Sequence, residues 1–127
     1  MRCVIVDDSA DFVDAARRLL ETDGFTVVGV ASTSAEALQC AEKLRPDVTL
    51  VDINLGTESG FDLAEQLHRS AEAEPSPMIL ISTQAEADFT DLISASPAIG
   101  FLAKFAITPA AVRDLVDGSV GLDGDRR

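Results

Sequence analysis

Val48-Thr49-Leu50-Val51-Asp52 is a short apolar run that ends on a carboxylate. Its Val/Leu content without alternation suits a strand covered on both faces, the kind found in parallel sheets. The same arrangement recurs on either side. Cys3-Val4-Ile5-Val6 runs into Asp7-Asp8, and Met78-Ile79-Leu80-Ile81 runs into Ser82-Thr83. Further apolar runs begin near residues 26 and 99, and each of the five is followed by a helical pattern. The alternation predicts βα units and an α/β fold: a parallel sheet with helices on both faces. In such a sheet the strand ends share the carboxyl edge, where open α/β folds place their ligands. Three carboxylates and a hydroxyl then meet in one crevice.

The helices carry their own signals. Ser9 is placed to cap the first, whose apolar stripe is Phe12, Val13, Ala16, Leu19 and Leu20. Thr33-Ser34-Ala35-Glu36 has the capping-box pattern for the second, and Arg45-Pro46-Asp47 stops it. Ser59-Gly60-Phe61-Asp62 opens the third, which runs through Leu63 and Leu67, and residues 73–77 form a loop. A fourth helix spans about 86–95 with Phe89, Leu92 and Ile93 inward. The last has Thr108 as cap, Pro109 at its first position, and Val112, Leu115 and Val116 on one face. Gly118 is its expected stop. The domain is therefore expected over residues 1–118, with 119–127 a disordered tail.

A chain of 127 residues with 46% hydrophobic content and a mean hydropathy of +0.18 can bury a core as one domain. No run approaches the length of a membrane span. Acidic residues at 7, 8 and 11 occupy the place a signal peptide would need for its apolar stretch, so a cytoplasmic protein is expected. Ten Lys and Arg against 22 Asp and Glu give a net charge of −12, which excludes nucleic acid and anionic membrane as natural partners. Cys3 and Cys40 lack metal-ligand spacing and read as reduced, buried thiols.

The edge chemistry follows from charge. No glycine-rich phosphate loop follows the first strand; the turn is Asp7-Asp8-Ser9. Such a turn repels phosphate unless a cation comes with it. Mg²⁺ suits the site, because it takes oxygen ligands and pairs carboxylates with phosphate oxygens. Asp52 can then serve as a nucleophile, since carboxylates form aspartyl phosphates. Lys104, just after the run Ile99-Gly100-Phe101-Leu102, brings an ammonium to the same edge, and Ser82 brings a hydroxyl.

These features in register resemble the receiver domain of two-component response regulators, over residues 2 to 117. The resemblance rests on Asp7-Asp8, Asp52 after an apolar strand, Gly60 eight residues later, Ser82 thirty after Asp52, and Lys104 twenty-two after that. Phe101 falls at the family's switch-aromatic position. The resemblance implies a flavodoxin-like sheet in the order 2-1-3-4-5. It implies Asp52 as phosphoacceptor, Asp8 as a direct Mg²⁺ ligand, Asp7 acting through metal-bound water, and the Asn54 backbone carbonyl as a further ligand. Ser82 and Lys104 would bind phosphoryl oxygens, and Ser82 with Phe101 would form the switch. The donor it implies is a sensor histidine kinase or histidine phosphotransfer protein. Downstream it implies an unknown protein, and a phosphorylation-dependent homodimer fits the same family. The chain departs from the common pattern at Phe105, where many members have a cis proline, at Leu55-Gly56 in place of Met-Pro, and at Ser96-Pro97-Ala98. The Leu55-Gly56 change implies a looser loop after Asp52.

Plainer readings stand beside these. Asp7-Asp8 alone is a turn or cap, Thr83 competes with Ser82, Phe101 is equally a core aromatic, and His68 without partners is a surface residue. Gly60 serves backbone geometry. Three other classes are weaker. A haloacid-dehalogenase-type phosphotransferase would show Asp-x-Asp after the first strand, and a phosphorylation-independent interaction module would lack an acidic residue or the lysine. A flavodoxin-like electron carrier would have a hydroxyl-rich phosphate loop. The expectation is a stand-alone receiver that catalyses its own phosphorylation and dephosphorylation, with no turnover of a free substrate.

Overall fold

The computed structural model describes residues 1–70 and 76–125, with backbone alone for 119–125. Five parallel strands form one sheet: β1 (Arg2–Val6), β2 (Thr26–Ala31), β3 (Val48–Asp52), β4 (Met78–Ser82) and β5 (Gly100–Ala103). Their order is β2-β1-β3-β4-β5, as expected, so the two acidic strand ends lie side by side at the centre. Pairing Val6 with Val51, Asp52 with Ile81, and Ser82 with Ala103 brings all four chemical strand ends to one edge.

The helices are α1 (Ala10–Glu21), α2 (Ser34–Leu44), α3 (Gly60–Ser70), α4 (Thr90–Ala95) and α5 (Pro109–Asp125). Side chains of α1 and α5, among them Val13, Ala16, Leu20, Val112 and Val116, pack with Cys3, Ile5, Leu50 and Ile79 on one sheet face. Ala37, Leu63, Ala64 and Leu67 of α2 and α3 cover Val4, Val6, Val51 and Leu80 on the other, with Phe89 and Ile93 at its margin. Both faces are covered by apolar helix side chains, which is why the strands read as unbroken apolar runs.

The caps form largely where the sequence places them. Ser9, Thr33 and Thr108 accept from the backbone N–H groups of Phe12, Glu36 and Ala111, each three residues on. Glu36 reaches back to Ser32 rather than to Thr33, accepting from its N–H and hydroxyl. Ser59 accepts from the N–H of Phe61 and opens α3.

Four expectations need correction. Leu19 (42% exposed) and Leu92 (54%) face outward, because each lies at the margin of its helical stripe and α4 is only a short helix behind a 3₁₀ turn at Glu86–Phe89. The loop after Asp52 is not loose. It closes into a two-stranded hairpin, Asn54–Leu55 with Glu58–Ser59, turned by Gly56 at φ +64°. Glu58 ties the hairpin to the start of α2 by accepting from the Ser34 N–H (3.0 Å). The helix does not stop at Gly118: α5 continues to Asp125, and Gly118 does not adopt the left-handed φ that a glycine helix stop uses. Of the expected tail, residues 126–127 lie outside the described residues, as does most of the expected loop at 73–77.

Candidate functional site

The central strands deliver Asp7 and Asp52 to the edge, both buried, with Asp8 exposed beside them. One carboxylate oxygen from each lies within 4.8 Å of the others. Lys104 arrives from the end of β5, its Nζ 2.6 Å from Asp7 Oδ2 and 3.1 Å from Asp52 Oδ2. The sequence reading brought these residues to one edge, and the structure adds that the lysine bridges two of the acids.

Backbone donors fix the other oxygens. The N–H of Asn54 donates to Asp52 Oδ1 (3.0 Å), and that of Ser9 donates to Asp7 Oδ1 (2.8 Å). Both are Asx-type turns, which hold a carboxylate rigid where a strand ends. Asp7 Oδ2 is different. It is fully enclosed, and although the Lys104 ammonium is near, no donor is aligned on it. An anionic oxygen buried in this way among carboxylates fits a hard cation that seeks oxygen ligands. Asp8 supplies the open side, with Gly56 of the hairpin turn so near that a Cβ there would sit 3.7 Å from Asp8 Oδ2.

Burial first, then the nearby charge of Asp7, raises the Asp52 carboxyl above the ordinary carboxylate range, against the opposing pull of the Asn54 N–H and Lys104. For Lys104, burial pulls the ammonium down, but its pairing with Asp7 and Asp52 outweighs it, and the net shift is upward. The crevice is thus electrostatically loaded: two buried acids share one lysine.

Ser82 is buried at the end of β4, and its Oγ accepts from the Gln84 N–H (2.9 Å). Thr83 is exposed. Phe101 is buried opposite Leu80, in the core on the α2–α3 side. Ser82 lies two residues beyond Leu80, so hydroxyl and ring share a sheet face. Asn54 opens the hairpin, and His68 is exposed in the last turn of α3. Phe105 is 86% exposed, and none of the described peptide bonds is cis. The thiols lie away from this chemistry; burial pushes Cys3 up to about 12 and raises Cys40, which is only half-buried.

Two neighbours make contacts that the sequence does not reveal. A Cβ on Gly60 would lie 2.0 Å from the Asp52 carbonyl oxygen and 2.6 Å from Ile53 Cα, so α3 can dock against the acceptor strand only through a glycine. The Phe12 ring lies under the Lys104 ammonium, 4.5 Å from centroid to Nζ. Gly60 was legible as a fixed interval from Asp52, but not as a steric contact. Phe12 gave no signal beyond an apolar helix position.

Fold and edge together define a doubly wound α/β domain with an anionic, lysine-bridged crevice at its carboxyl edge. The chain belongs to the response regulator receiver domain family, whose model matches residues 3–117. That family serves phosphorylation-controlled signalling. A Pseudomonas aeruginosa relative is 36% identical over 103 residues, covering 81% of this chain and 49% of that protein. A protein-glutamate methylesterase/protein-glutamine glutaminase of Bacillus licheniformis is 34% identical over 123 residues, 91% of this chain and 34% of that protein. The chain thus spans half the length or less of these curated relatives. Among solved structures, the signal receiver domain of NarL from Mycobacterium tuberculosis superposes with a TM-score of 0.80 at 32% identity, covering 92% of this chain and 96% of that one. The receiver domain of a modulated diguanylate cyclase from Desulfovibrio desulfuricans G20 gives 0.78 at 27%, covering 99% and 98%. Among the described residues no helix is long and apolar enough to cross a membrane.

Proposed function

We propose that this chain accepts a phosphoryl group on Asp52 from the phosphohistidine of a sensor kinase or histidine phosphotransfer protein, and signals through protein contacts. The observation that carries the reading is the convergence of Asp7, Asp8 and Asp52 on one point with Lys104 bridging two of them. Asp7, Asp8, Asp52 and the Asn54 carbonyl would hold Mg²⁺. When bound, the ion neutralises the repulsion between carboxylate and phosphoryl oxygens and aligns them.

The chain's own residues do the rest. The Asn54 N–H keeps Asp52 Oδ1 in place, so Oδ2 is the oxygen free to attack once Lys104 turns from it. Lys104 then pairs with an oxygen of the incoming phosphoryl group, and the Ser82 hydroxyl donates to another. The new P–O bond forms as the P–N bond breaks, and the imidazole leaves with the electron pair. The product carries its charge at the sheet edge, next to the turn that follows Ser82. Drawing the hydroxyl toward it frees the space that Phe101, on the same face, can enter. Methylesterase activity in the Bacillus relative belongs to that longer protein; for this chain we propose only self-phosphorylation and dephosphorylation.

Phosphoramidate, a donor with the same P–N bond, tests the reading. With Mg²⁺ it should label the protein once, as an acyl phosphate labile to alkali and to hydroxylamine. Absence of label, or label on His68, refutes the assignment.

A further inference from the structure

We propose that Phe12 is a positioning residue for Lys104, setting the pose of its ammonium by a cation–π contact from α1. This role deepens the reading of Lys104 as the group that meets phosphoryl oxygens, and rests on it. The ammonium touches three things: Asp7 Oδ2 at 2.6 Å, Asp52 Oδ2 at 3.1 Å, and the Phe12 ring at 4.5 Å from its centroid. Two of these are anionic. The third is neutral and uses none of the lysine's protons.

Its placement is built into the chain. Ser9 donates its N–H to Asp7 Oδ1 and accepts on its Oγ from the Phe12 N–H, so one capping turn fixes both the carboxylate and the ring. The ring packs half-buried against the α1–α5 core. Lys104 begins a short 3₁₀ turn, followed by the exposed Phe105, and its long flexible stem has rotamer entropy to lose. Its pose is therefore set from across the site. A carboxylate in place of the ring would lock the ammonium, and an aliphatic side chain would leave it free to swing into water. An aromatic face attracts it while letting it exchange a carboxylate oxygen for a phosphoryl oxygen.

Two substitutions test this. Phe12→Leu keeps apolar packing and removes the ring; Phe12→Tyr keeps the ring. In NMR spectra of the metal-free wild type, the Lys104 ε-methylene protons should be shifted upfield by the ring. The shift should vanish in Phe12→Leu and persist in Phe12→Tyr. Affinity for beryllofluoride in the presence of Mg²⁺ should fall about 2- to 30-fold in Phe12→Leu. Affinity for Mg²⁺ alone should hold or rise, because a loosened ammonium repels the cation less. Phe12→Tyr should match wild type in both. No upfield shift in wild type overturns the proposal, as does Phe12→Leu weakening Mg²⁺ and beryllofluoride by the same factor. A wild type that shows the shift but never binds beryllofluoride would sink the phosphoacceptor reading and leave the ring contact standing.

Discussion

Replacing Gly60 with alanine puts one methyl group where the structure has no room. Its Cβ would stand 2.0 Å from the Asp52 carbonyl oxygen, 2.7 Å from the Asp52 carbonyl carbon and 2.6 Å from Ile53 Cα. Real Cβ atoms stay beyond 3.0 Å, so either α3 or the end of β3 must move by at least about 1 Å. Neither is free to do so. The Gly60 N–H donates to the Ile53 carbonyl at 2.9 Å, and the Ile53 N–H to the Ile81 carbonyl at 3.1 Å. Overpacking of this kind costs about 1–3 kcal/mol, and alanine in place of glycine at a helix start returns up to about 1 kcal/mol. The net loss, up to about 3 kcal/mol, lowers the melting temperature by up to roughly 10 °C for a chain of this size. The functional effect is larger. A 1 Å displacement of a reacting group costs about 10²-fold in rate, so self-phosphorylation from acetyl phosphate should fall by about that factor. Thermal melts and intact-mass time courses on Gly60→Ala check both. Wild-type melting and rate together would show that close approach of α3 to the acceptor strand is not what Gly60 provides.

Mg²⁺ at about a hundred-fold excess over its Kd should stabilise the fold by about 2.7 kcal/mol, roughly 10 °C in melting temperature, and Asp8→Ala should remove that rise in calorimetry. The effect should fade as pH falls. The Asp52 carboxyl is raised by burial, so its ionisation weakens the metal-free fold as pH climbs through that raised value, while Mg²⁺ requires the ionised form. Calorimetric titrations should therefore lose Mg²⁺ binding at a higher pH than an ordinary aspartate would dictate; loss only below the ordinary aspartate value contradicts the burial argument. Lys104, raised by its two acids, contributes stability present below the ordinary lysine value and lost only on alkaline titration through its raised value. Lys104→Met should abolish that alkaline limb in melts taken against pH. Ser82→Ala should accept phosphate but transmit it poorly, so amide exchange over residues 83–105 should change on phosphorylation in wild type and much less in the variant. Equal changes in both would remove Ser82 as the trigger.

Fold and site were readable from the sequence to different depths. Strands such as Val48–Asp52 are buried on both faces and leave an unbroken apolar signature, and hydroxyl caps such as Ser9 and Thr108 announce helix starts by local bonding alone. The acids were legible because they end those strands. Contacts made across the fold were not. Leu19 and Leu92 have apolar side chains, but only the width of the facing surface decides whether a marginal position is covered. The hairpin after Asp52 depends on Gly56 taking a left-handed φ and on Glu58 finding the start of α2, twenty-four residues away. Gly118 has the residue type of a helix stop, yet the stop needs a positive φ that the chain does not adopt. The steric role of Gly60 and the ring beneath Lys104 are likewise properties of juxtaposition.

The most direct test of the central claim is the intact mass of wild type and Asp52→Asn after acetyl phosphate treatment, with and without Mg²⁺. Wild type should gain one labile phosphoryl adduct that depends on Mg²⁺, and Asp52→Asn, still folded, should gain none. An adduct that persists on Asp52→Asn at the wild-type level, or a wild type that stays unmodified with Mg²⁺ present, would contradict Asp52 as the phosphoacceptor.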